Sequence, residues 1–418
     1  MFFTLFGQEC RQILKSLVFY LFVIVFILFL TSQMSGNTDK MEPPQPGQEF
    51  YGTGYSRDET TIMERTLAEL ALDTYHKAFD TYPLGFLKRV NLNDQELAQI
   101  EGYLEECTGK TLDRILQEDL ADYFNQNRSG NLEFSMSAQY SYRVQVKEDL
   151  TYSRFLEILE EVCRIIGRGS KYEPSQMENG VRVPQTYEEA LTAYQDMLEK
   201  DRLTGAYARL FCDYAGIVLA LLPIFMGVTR VLKDKRSKAA DVIYAKKASS
   251  GVIVWSRFLA NTVLILLTVL AAALFMQSPY LYQAQTMGVS VDMFAFVKYT
   301  VLWLLPEVMA VLAFSFLITE LTGGILSIFL QAGWAYYSLM SARTLVGSFG
   351  LQLIARWNTV GSTALFESQK SQLYLNRGFY LFLSLAAVAL TVLVYELKRR
   401  RGFSLSLRAR RPETGKEG

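Results

Sequence analysis

Glu307 and Gln331 are the side chains whose positions could support chemistry at membrane depth. Glu307 follows Pro306 in an apolar run over 296–318, and Gln331 lies in the middle of another over 323–340. A carboxyl group at membrane depth is a default candidate for a substrate or ion pathway, or for pairing with a neighbouring helix. The alternative for Glu307 is that it snorkels to the outer interface. Gln331 is expected to hydrogen-bond across a helix interface, worth on the order of 1 kcal/mol.

Side chains of the kind that soluble enzymes use are sparse. The sequence has one histidine, His76, and four cysteines without CxxC or Cys/His ligand spacing. These residues predict neither a multi-histidine metal centre nor a triad of Ser, His and Asp. The TGKT at 108–111 lacks the spacing of a GxxxxGK[ST] nucleotide loop. We therefore expect a chain that is not itself an enzyme and that binds no cofactor or metal.

A basic segment over 230–257 predicts the orientation of the chain. It carries eight Lys and Arg against two Asp and lies between two long apolar runs. Positive charge near the ends of membrane spans is retained on the cytoplasmic side. The run KRRR at 398–401 and the later LRARR obey the same rule. We therefore expect a multi-pass protein of the cell membrane, with both termini in the cytoplasm and the lipid bilayer as its surroundings.

Six apolar runs predict an α-helical polytopic membrane protein with six transmembrane helices. Each is close to the ~20 residues that a bilayer core requires. The alternative for the first run is a cleaved signal peptide, but its long amphipathic lead and the lack of an A-x-A site favour an uncleaved span. The predicted spans are 13–31, 210–231, 254–276, 296–318, 323–340 and 379–397.

The region between the first two runs is acidic and is predicted to be an extracytoplasmic, mainly helical domain. Residues 32–208 contain 31 Asp and Glu against 18 Lys and Arg. Capping boxes at Asn93 and Thr186 predict helix starts, and the alternation over 137–146 predicts one strand. Cys107 and Cys163 are compatible with a disulfide in an oxidising compartment or with two free thiols.

These patterns divide the chain into four parts. Residues 1–31 are an interfacial elbow helix with the first span, and residues 32–208 are the outer domain. Residues 209–397 carry spans two to six with a cytoplasmic loop over 232–253. Residues 398–418 are a basic cytoplasmic tail.

Three stretches together resemble the type 2 membrane-spanning subunits of ATP-binding-cassette (ABC) exporters. MFFTLFGQECRQILKSLVFYLF is similar to that family's elbow helix and first span, and RVLKDKRSKAADVIYAKKASSGVIVWSRFLAN to its coupling-helix region. NRGFYLFLSLAAVALTVLVYELKRRR resembles its final span and basic end. The resemblance covers the membrane portion. The large acidic insertion departs from the simplest members, although some members carry one.

The resemblance implies a permease subunit that moves a peptide, lipid or antibiotic-like compound outward. Its partners would be a separate ATPase subunit, which binds the ATP, and a second permease copy or a paralogue; nucleic acid is not an expected partner. A non-transporting sensor or membrane anchor with a ligand-binding outer domain is the alternative. The residues implied to contact the ATPase lie in the basic loop: Ser237, Asp241, Tyr244, Lys246 and Lys247.

Overall fold

Most of the apolar runs form long helices. The computed structural model describes residues 1–35, 42–83, 87–128, 140–178, 180–236, 248–341, 345–347 and 349–401. The chain is mostly helical. It divides into two compact units, a membrane unit of residues 1–41 and 195–418 and an insert unit of residues 42–194.

The helices and strands are as follows. The helices are α1 Phe2–Leu14, α2 Leu17–Met34, α3 Glu59–His76, α4 Asp94–Thr108, α5 Leu112–Arg114, α6 Ala121–Arg128, α7 Tyr152–Ile166, α8 Pro174–Met177, α9 Tyr187–Glu199, α10 Thr204–Leu219, α11 Pro223–Arg236, α12 Ser250–Met287, α13 Ala295–Tyr299, α14 Leu305–Thr322, α15 Leu326–Met340 and α16 Thr363–Arg401. Ile115–Asp119 and Thr300–Leu304 are π-helical turns that continue α5 and join α13 to α14. The strands are β1 Thr53–Ser56, β2 Phe79–Thr81, β3 Lys88–Val90 and β4 Val181–Pro184.

Five helical stretches among the described residues are long and apolar enough to cross a membrane. The shortest has 18 residues, which at 1.5 Å per residue is about 27 Å, close to the thickness of a bilayer core. These stretches indicate a helical membrane protein. They are Leu17–Met34, Thr204–Lys233, Ser250–Met287, Ala295–Thr322 and Thr363–Arg400.

The remaining apolar run, 323–340, forms a shorter helix than the others. Helix α15 has 15 residues, about 22 Å, which alone is less than a bilayer core. Helices α12 and α16, by contrast, extend well beyond the runs predicted at 254–276 and 379–397. Their additional turns are richer in polar residues, so hydropathy alone marks only the central part of each helix.

Lys15 and Ser16 separate the amphipathic helix α1 from the span α2. Ser16 adopts an extended conformation with φ −88° and ψ 130°, which ends one helix before the next begins. Glu9 and Ile13 are the buried residues of α1. Helix α2 is apolar around its whole circumference, and one of its faces, with Phe22, Phe26 and Leu30, is buried against the protein.

The insert unit is a helical core edged by two short, two-stranded antiparallel sheets. Residues from α3, α4 and α7 form its apolar centre, with Leu67, Leu104 and Ile158 fully buried. Strand β1 pairs with β4, and β2 pairs with β3. These four strands escaped the sequence prediction because each has only three or four residues.

Both predicted capping boxes are confirmed. The Asn93 side chain accepts from the backbone of Glu96 at 2.9 Å, and the Glu96 carboxylate accepts from the backbone of Asn93 at 2.8 Å. Thr186 and Glu189 make the same reciprocal bonds at 3.2 and 2.9 Å. Each box satisfies amide groups that the first turn of a helix leaves without partners.

The strand predicted over 137–146 is wrong for its described residues, 140–146. Tyr140 and Ser141 are helical, and the following residues have no regular secondary structure. The alternation of apolar and polar residues nevertheless corresponds to burial, since Tyr142 and Val144 are buried. The Val144 amide donates to the Glu64 carbonyl at 3.3 Å. This segment packs one face on α3 without a partner strand.

Cys107 and Cys163 are free thiols, and we expect both to react slowly in the folded protein. Burial, with the nearby Glu106 and Glu173 charges, raises the pKa of each from 9.0 to about 12. Only the thiolate reacts, so its population near pH 8 falls about 1,000-fold relative to an ordinary thiol.

Labelling by a maleimide at pH 8 tests this in a chain lacking Cys10 and Cys212. Native protein should react slowly, and its rate should rise about tenfold per pH unit up to pH 10. Protein unfolded in SDS should react at once. Exposed Ser153, replaced by cysteine, is the matched control. Rapid native labelling, or reactivity gained only after reduction, would contradict the expectation.

Candidate functional site

Two groups of buried charged residues lie near opposite ends of the span Thr204–Lys233. Arg209 belongs to the first group and Arg230 to the second, about 30 Å apart along the helix axis. We call the first group the charge network; it comprises Asp201, Arg209, Asp213, Glu307, Arg356 and Arg377. We call the second group the Glu9 clamp; it comprises Glu9, Arg230 and Arg257.

Glu307 is completely buried and pairs with Arg377. Arg377 Nη1 lies 3.1 Å from Glu307 Oε2 and donates also to the Leu353 carbonyl at 3.0 Å. The snorkelling interpretation of Glu307 is therefore wrong, because its side chain points into the protein. Glu307 Oε1 and Arg377 Nε and Nη2 have no hydrogen-bond partner among the described residues. The charges of this pair are compensated, but its hydrogen bonding is incomplete.

Asp213 holds the second pair of the charge network. It accepts from Arg356 Nε at 2.9 Å and Nη2 at 3.3 Å, and also from the Trp357 amide. Asp213 is fully buried in α10. A buried carboxylate is stable when a bidentate guanidinium and further donors surround it. Asp213 therefore attaches the chain around Arg356 to α10.

Asp201 holds the third pair, at the start of α10. Its two carboxylate oxygens each accept from Arg209 at 2.5 Å, and Oδ2 also accepts from the Thr363 hydroxyl at 2.6 Å. The Arg209 guanidinium lies 4.4 Å from the ring centre of Phe366. Because Thr363 and Phe366 begin α16, this pair joins the first turns of α10 and α16.

All three pairs surround one stretch of irregular backbone, which we call the anchored segment: residues 345–362, of which 348 is outside the described residues. Phe349, Leu353, Ile354 and Trp357 of this segment are buried. The Asn376 side-chain amide donates to the carbonyls of residues 349, 350 and 352 at 3.3, 2.9 and 2.9 Å. Non-helical backbone at membrane depth is tolerated only where protein satisfies its polar groups. Helix α16 supplies those partners here.

Gln331 bonds to another helix at a break. Pro223 has no N–H, and the helix is interrupted between Leu219 and Pro223. Gln331 Nε2 donates to the Ala220 carbonyl at 2.6 Å, and the Ser315 hydroxyl donates to the Ile224 carbonyl at 3.2 Å. These bonds satisfy carbonyls at the interruption. The part of Gln331 in a transport pathway stays a prediction.

Glu9 connects α1 to two other helices. Its carboxylate accepts from Arg230 in α11 through both oxygens and lies 3.5 Å from Arg257 in α12. All three side chains are buried. Lys233 adds a hydrogen bond to Gln12 of α1 at 2.8 Å. The amphipathic helix is thus fastened to the last turns of α11 and the first turns of α12.

Helices α11 and α12 flank the basic loop predicted to contact an ATPase. Ser237, Asp241, Tyr244, Lys246 and Lys247 all lie outside the described residues. The described ends of the loop are held on both sides: α11 by Glu9, and Ala248 through its carbonyl, which accepts from Arg399 at 2.7 Å. Glu320, at the end of α14, pairs with Lys398 of α16 at 3.0 Å. Ion pairs and a hydrogen bond therefore connect the helix ends around the loop.

Sequence reasoning singled out Glu307 but missed its partner and most of the other charged residues. Asp213 lay inside the predicted run 210–231, and its charge within an apolar run was an available signal. Arg209 and Arg377 lie just outside the runs that contain their helices, so hydropathy assigned them to loops. Glu9 carried no signal beyond the amphipathic pattern of α1.

The chemistry available to these residues is electrostatic and structural. Within the described ranges, no group of three or more His, Cys, Asp or Glu is placed to hold a metal ion. Charged side chains in membrane spans pair with one another or mark a pathway, and here each carboxylate of the charge network faces a guanidinium.

Comparisons with family models, curated proteins and solved structures found no match for the chain.

Proposed function

We propose that the chain is the membrane-spanning permease subunit of an ATP-driven ABC exporter. It pairs with a second permease copy or a paralogue, and a separate ATPase subunit binds and hydrolyses the ATP. Both termini and the basic loop lie in the cytoplasm of a cell-membrane protein, and the insert unit lies outside. The transported compound is a peptide, a lipid or an antibiotic-like molecule.

The Glu9 clamp is the observation that carries this proposal. It fastens an amphipathic N-terminal helix to the two spans that flank a strongly basic loop. A force applied to the loop therefore acts on α1, α11 and α12 together, because their ends are tied by buried charges. Rigid-body motion of packed helices is how such contacts change the state of a membrane protein.

The charge network supports the proposal from the other end of the same span. Asp213 and Arg209 lie on α10, which continues past the interruption at Pro223 into α11. A displacement of this span changes the position of Asp213 relative to Arg356 in the anchored segment. The anchored segment is thus a candidate outer gate, held closed by ion pairs that a tilt of the span would loosen.

A sixth crossing is part of the proposal. Helix α15 is short for a span, but the anchored segment that follows it is buried and bonded to α15 through Ser338, whose hydroxyl accepts from the Ile354 amide at 2.9 Å. Helix and segment together extend further than α15 alone. An even number of crossings places the basic loop and the basic run 398–401 at the end of α16 on the same side.

Co-purification of an ATPase tests the proposal. The wild-type chain, extracted in mild detergent from cells expressing its neighbouring genes, should retain an ATPase subunit. Asp241→Lys combined with Tyr244→Ala should lower that recovery at least tenfold, since it reverses a charge and removes a ring in the loop. The matched control is Asp113→Lys combined with Tyr82→Ala, at exposed positions of the insert unit.

One outcome would contradict the permease, and another would contradict the role of the basic loop. Recovery of no ATPase with the wild type favours the non-transporting sensor, whose insert unit binds a ligand. Equal recovery with the loop variant and with the control would place the ATPase contact elsewhere than the basic loop.

A further inference from the structure

The helices around the Glu9 clamp also line a half-open cavity. Its volume is ≈ 280 Å³, and residues of α1, α2, α11 and α12 line it together with the junction between α1 and α2. The polar lining side chains that bear on ligand binding are Gln12, Lys15, Ser16, Arg230, Lys233 and Asn261.

The cavity lies where membrane spans begin and end. Lys15 and Ser16 immediately precede the span Leu17–Met34, and Lys233 is the last residue of the span Thr204–Lys233. Span ends lie at the boundary between lipid headgroups and hydrocarbon. The cavity therefore faces the depth at which phospholipid headgroups are found.

The charge in the cavity is positive. Lys15 is exposed, and its ammonium group makes no hydrogen bond or ion pair among the described residues; the Lys233 ammonium group donates to the neutral Gln12 and pairs with no carboxylate among the described side chains. Arg230 is compensated by Glu9, which is not among the lining residues. Two lysine charges are thus available to an anion. Basic pockets between membrane helices bind anionic lipid headgroups.

The start of α2 adds donors to the same cavity. Ser16 and Val18 line it, and the Ser16 side chain does not cap the helix. The first amide groups of a helix have no intrahelical acceptor, and they carry the positive end of the helix dipole. Phosphate binds readily at such helix starts.

Asn261 indicates which polar group the ligand must carry. It is only 1% exposed and lines the cavity. Its Nδ2 donates to the Arg257 carbonyl at 2.8 Å, which assigns the amide orientation and leaves Oδ1 as an acceptor. Among the described residues Oδ1 has no partner. A ligand hydroxyl would satisfy this buried acceptor, whereas a phosphate oxygen would not.

The remaining wall is apolar apart from Thr229, whose hydroxyl donates to the Phe225 carbonyl within its own helix. Val18, Phe19 and Met226 lie beside the polar groups. An amphipathic ligand, with an anionic head and hydrocarbon below it, matches this arrangement better than a free anion does.

We infer that this cavity binds the headgroup of an anionic phospholipid that carries both a phosphate and free hydroxyls, the phosphatidylglycerol class. The lysines and the start of α2 face the phosphate, and Asn261 accepts from a headgroup hydroxyl. This inference requires only that the chain is embedded in a membrane, so it stands or falls independently of transport.

Native mass spectrometry of the delipidated full chain, titrated with defined lipids, tests the inference. We expect phosphatidylglycerol to bind about 10- to 30-fold more tightly than phosphatidylcholine, from two lysines near the membrane surface. Lys15→Gln combined with Lys233→Gln should reduce that preference to within about twofold. Asn261→Leu should selectively lower the preference for phosphatidylglycerol over phosphatidic acid, which lacks the hydroxyl-bearing headgroup.

Lys370→Gln, a partly exposed lysine elsewhere in the membrane unit, is the matched control and should keep the preference. If the double variant aggregates, Lys15→Gln alone replaces it, because a substitution at an exposed position should not affect folding. Equal binding of phosphatidylglycerol and phosphatidylcholine would overturn the inference, as would an unchanged preference in the lysine variants. Displacement of the lipid by glycerol 3-phosphate at equal concentration would show a soluble phosphate site instead.

Discussion

Replacing Arg377 with methionine is expected to destabilise the membrane unit by about 3–5 kcal/mol, the largest effect of a single substitution that we anticipate. The change leaves Glu307 completely buried without the guanidinium that compensates its charge. It also removes the donor to the Leu353 carbonyl. A thermal melt in detergent, followed by loss of the monodisperse peak, measures this effect.

The double variant Glu307→Leu with Arg377→Met separates charge from packing. Replacing both members of a buried pair by apolar residues is often neutral, so most of the lost stability should return. The unpaired Leu353 carbonyl leaves a residual cost of about 1 kcal/mol. Lys370→Met, which removes a solvent-exposed partner of Glu367, is the control and should not change the melt. A double variant less stable than Arg377→Met alone would show that the pair contributes stability beyond mutual compensation.

Glu9→Ala is expected to release α1 from the rest of the membrane unit. It leaves Arg230 and Arg257, both buried, without the carboxylate that faces them, at a cost of about 3 kcal/mol or more. Because α1 then keeps only its apolar contacts and the exposed hydrogen bond between Gln12 and Lys233, trypsin should cleave after Arg11 and Lys15 at least tenfold faster than in the wild type. Recovery of the proposed ATPase should fall in parallel.

Gln8→Ala is the control for this experiment, because Gln8 is the exposed neighbour of Glu9 on the same helix. It should leave both the cleavage rate and the ATPase recovery unchanged. Unchanged cleavage in Glu9→Ala would mean that the remaining contacts of α1 hold it in place without the Glu9 clamp. Faster cleavage with full ATPase recovery would refute the role of α1 in coupling while leaving the clamp itself intact.

Hydropathy and local helix signals predicted most of the helical framework. The runs at 296–318 and 210–231 coincide with helical spans because lipid or protein surrounds their apolar side chains on every side. The capping boxes at Asn93 and Thr186 depend on residues three positions apart, so they can be predicted from the sequence. The strands β1 and β4 pair across more than a hundred residues, and nothing local encodes such a pairing.

The ion-pair partners in the charge network could not be predicted from the sequence. Glu307 stands out because it interrupts an apolar run, but its partner Arg377 lies at the edge of a distant one. The pairing of Asp213 with Arg356 spans about twice that distance along the chain, 143 residues against 70. Each pair is created by tertiary packing, between two helices for Glu307 and Arg377 and between a helix and the anchored segment for Asp213 and Arg356. A charge in an apolar run therefore indicates that a partner exists without identifying it.

The anchored segment also constrains the biogenesis of the protein. Its irregular backbone is bonded to Asn376 and Arg377, which are synthesised after it. Unpaired amide and carbonyl groups do not partition into hydrocarbon. When residues 345–362 leave the ribosome, their partners are not yet available. The hydrogen bonds of the segment to α16 therefore form only after α16 has been made, so this part of the membrane unit completes its bonding late in the folding of one chain.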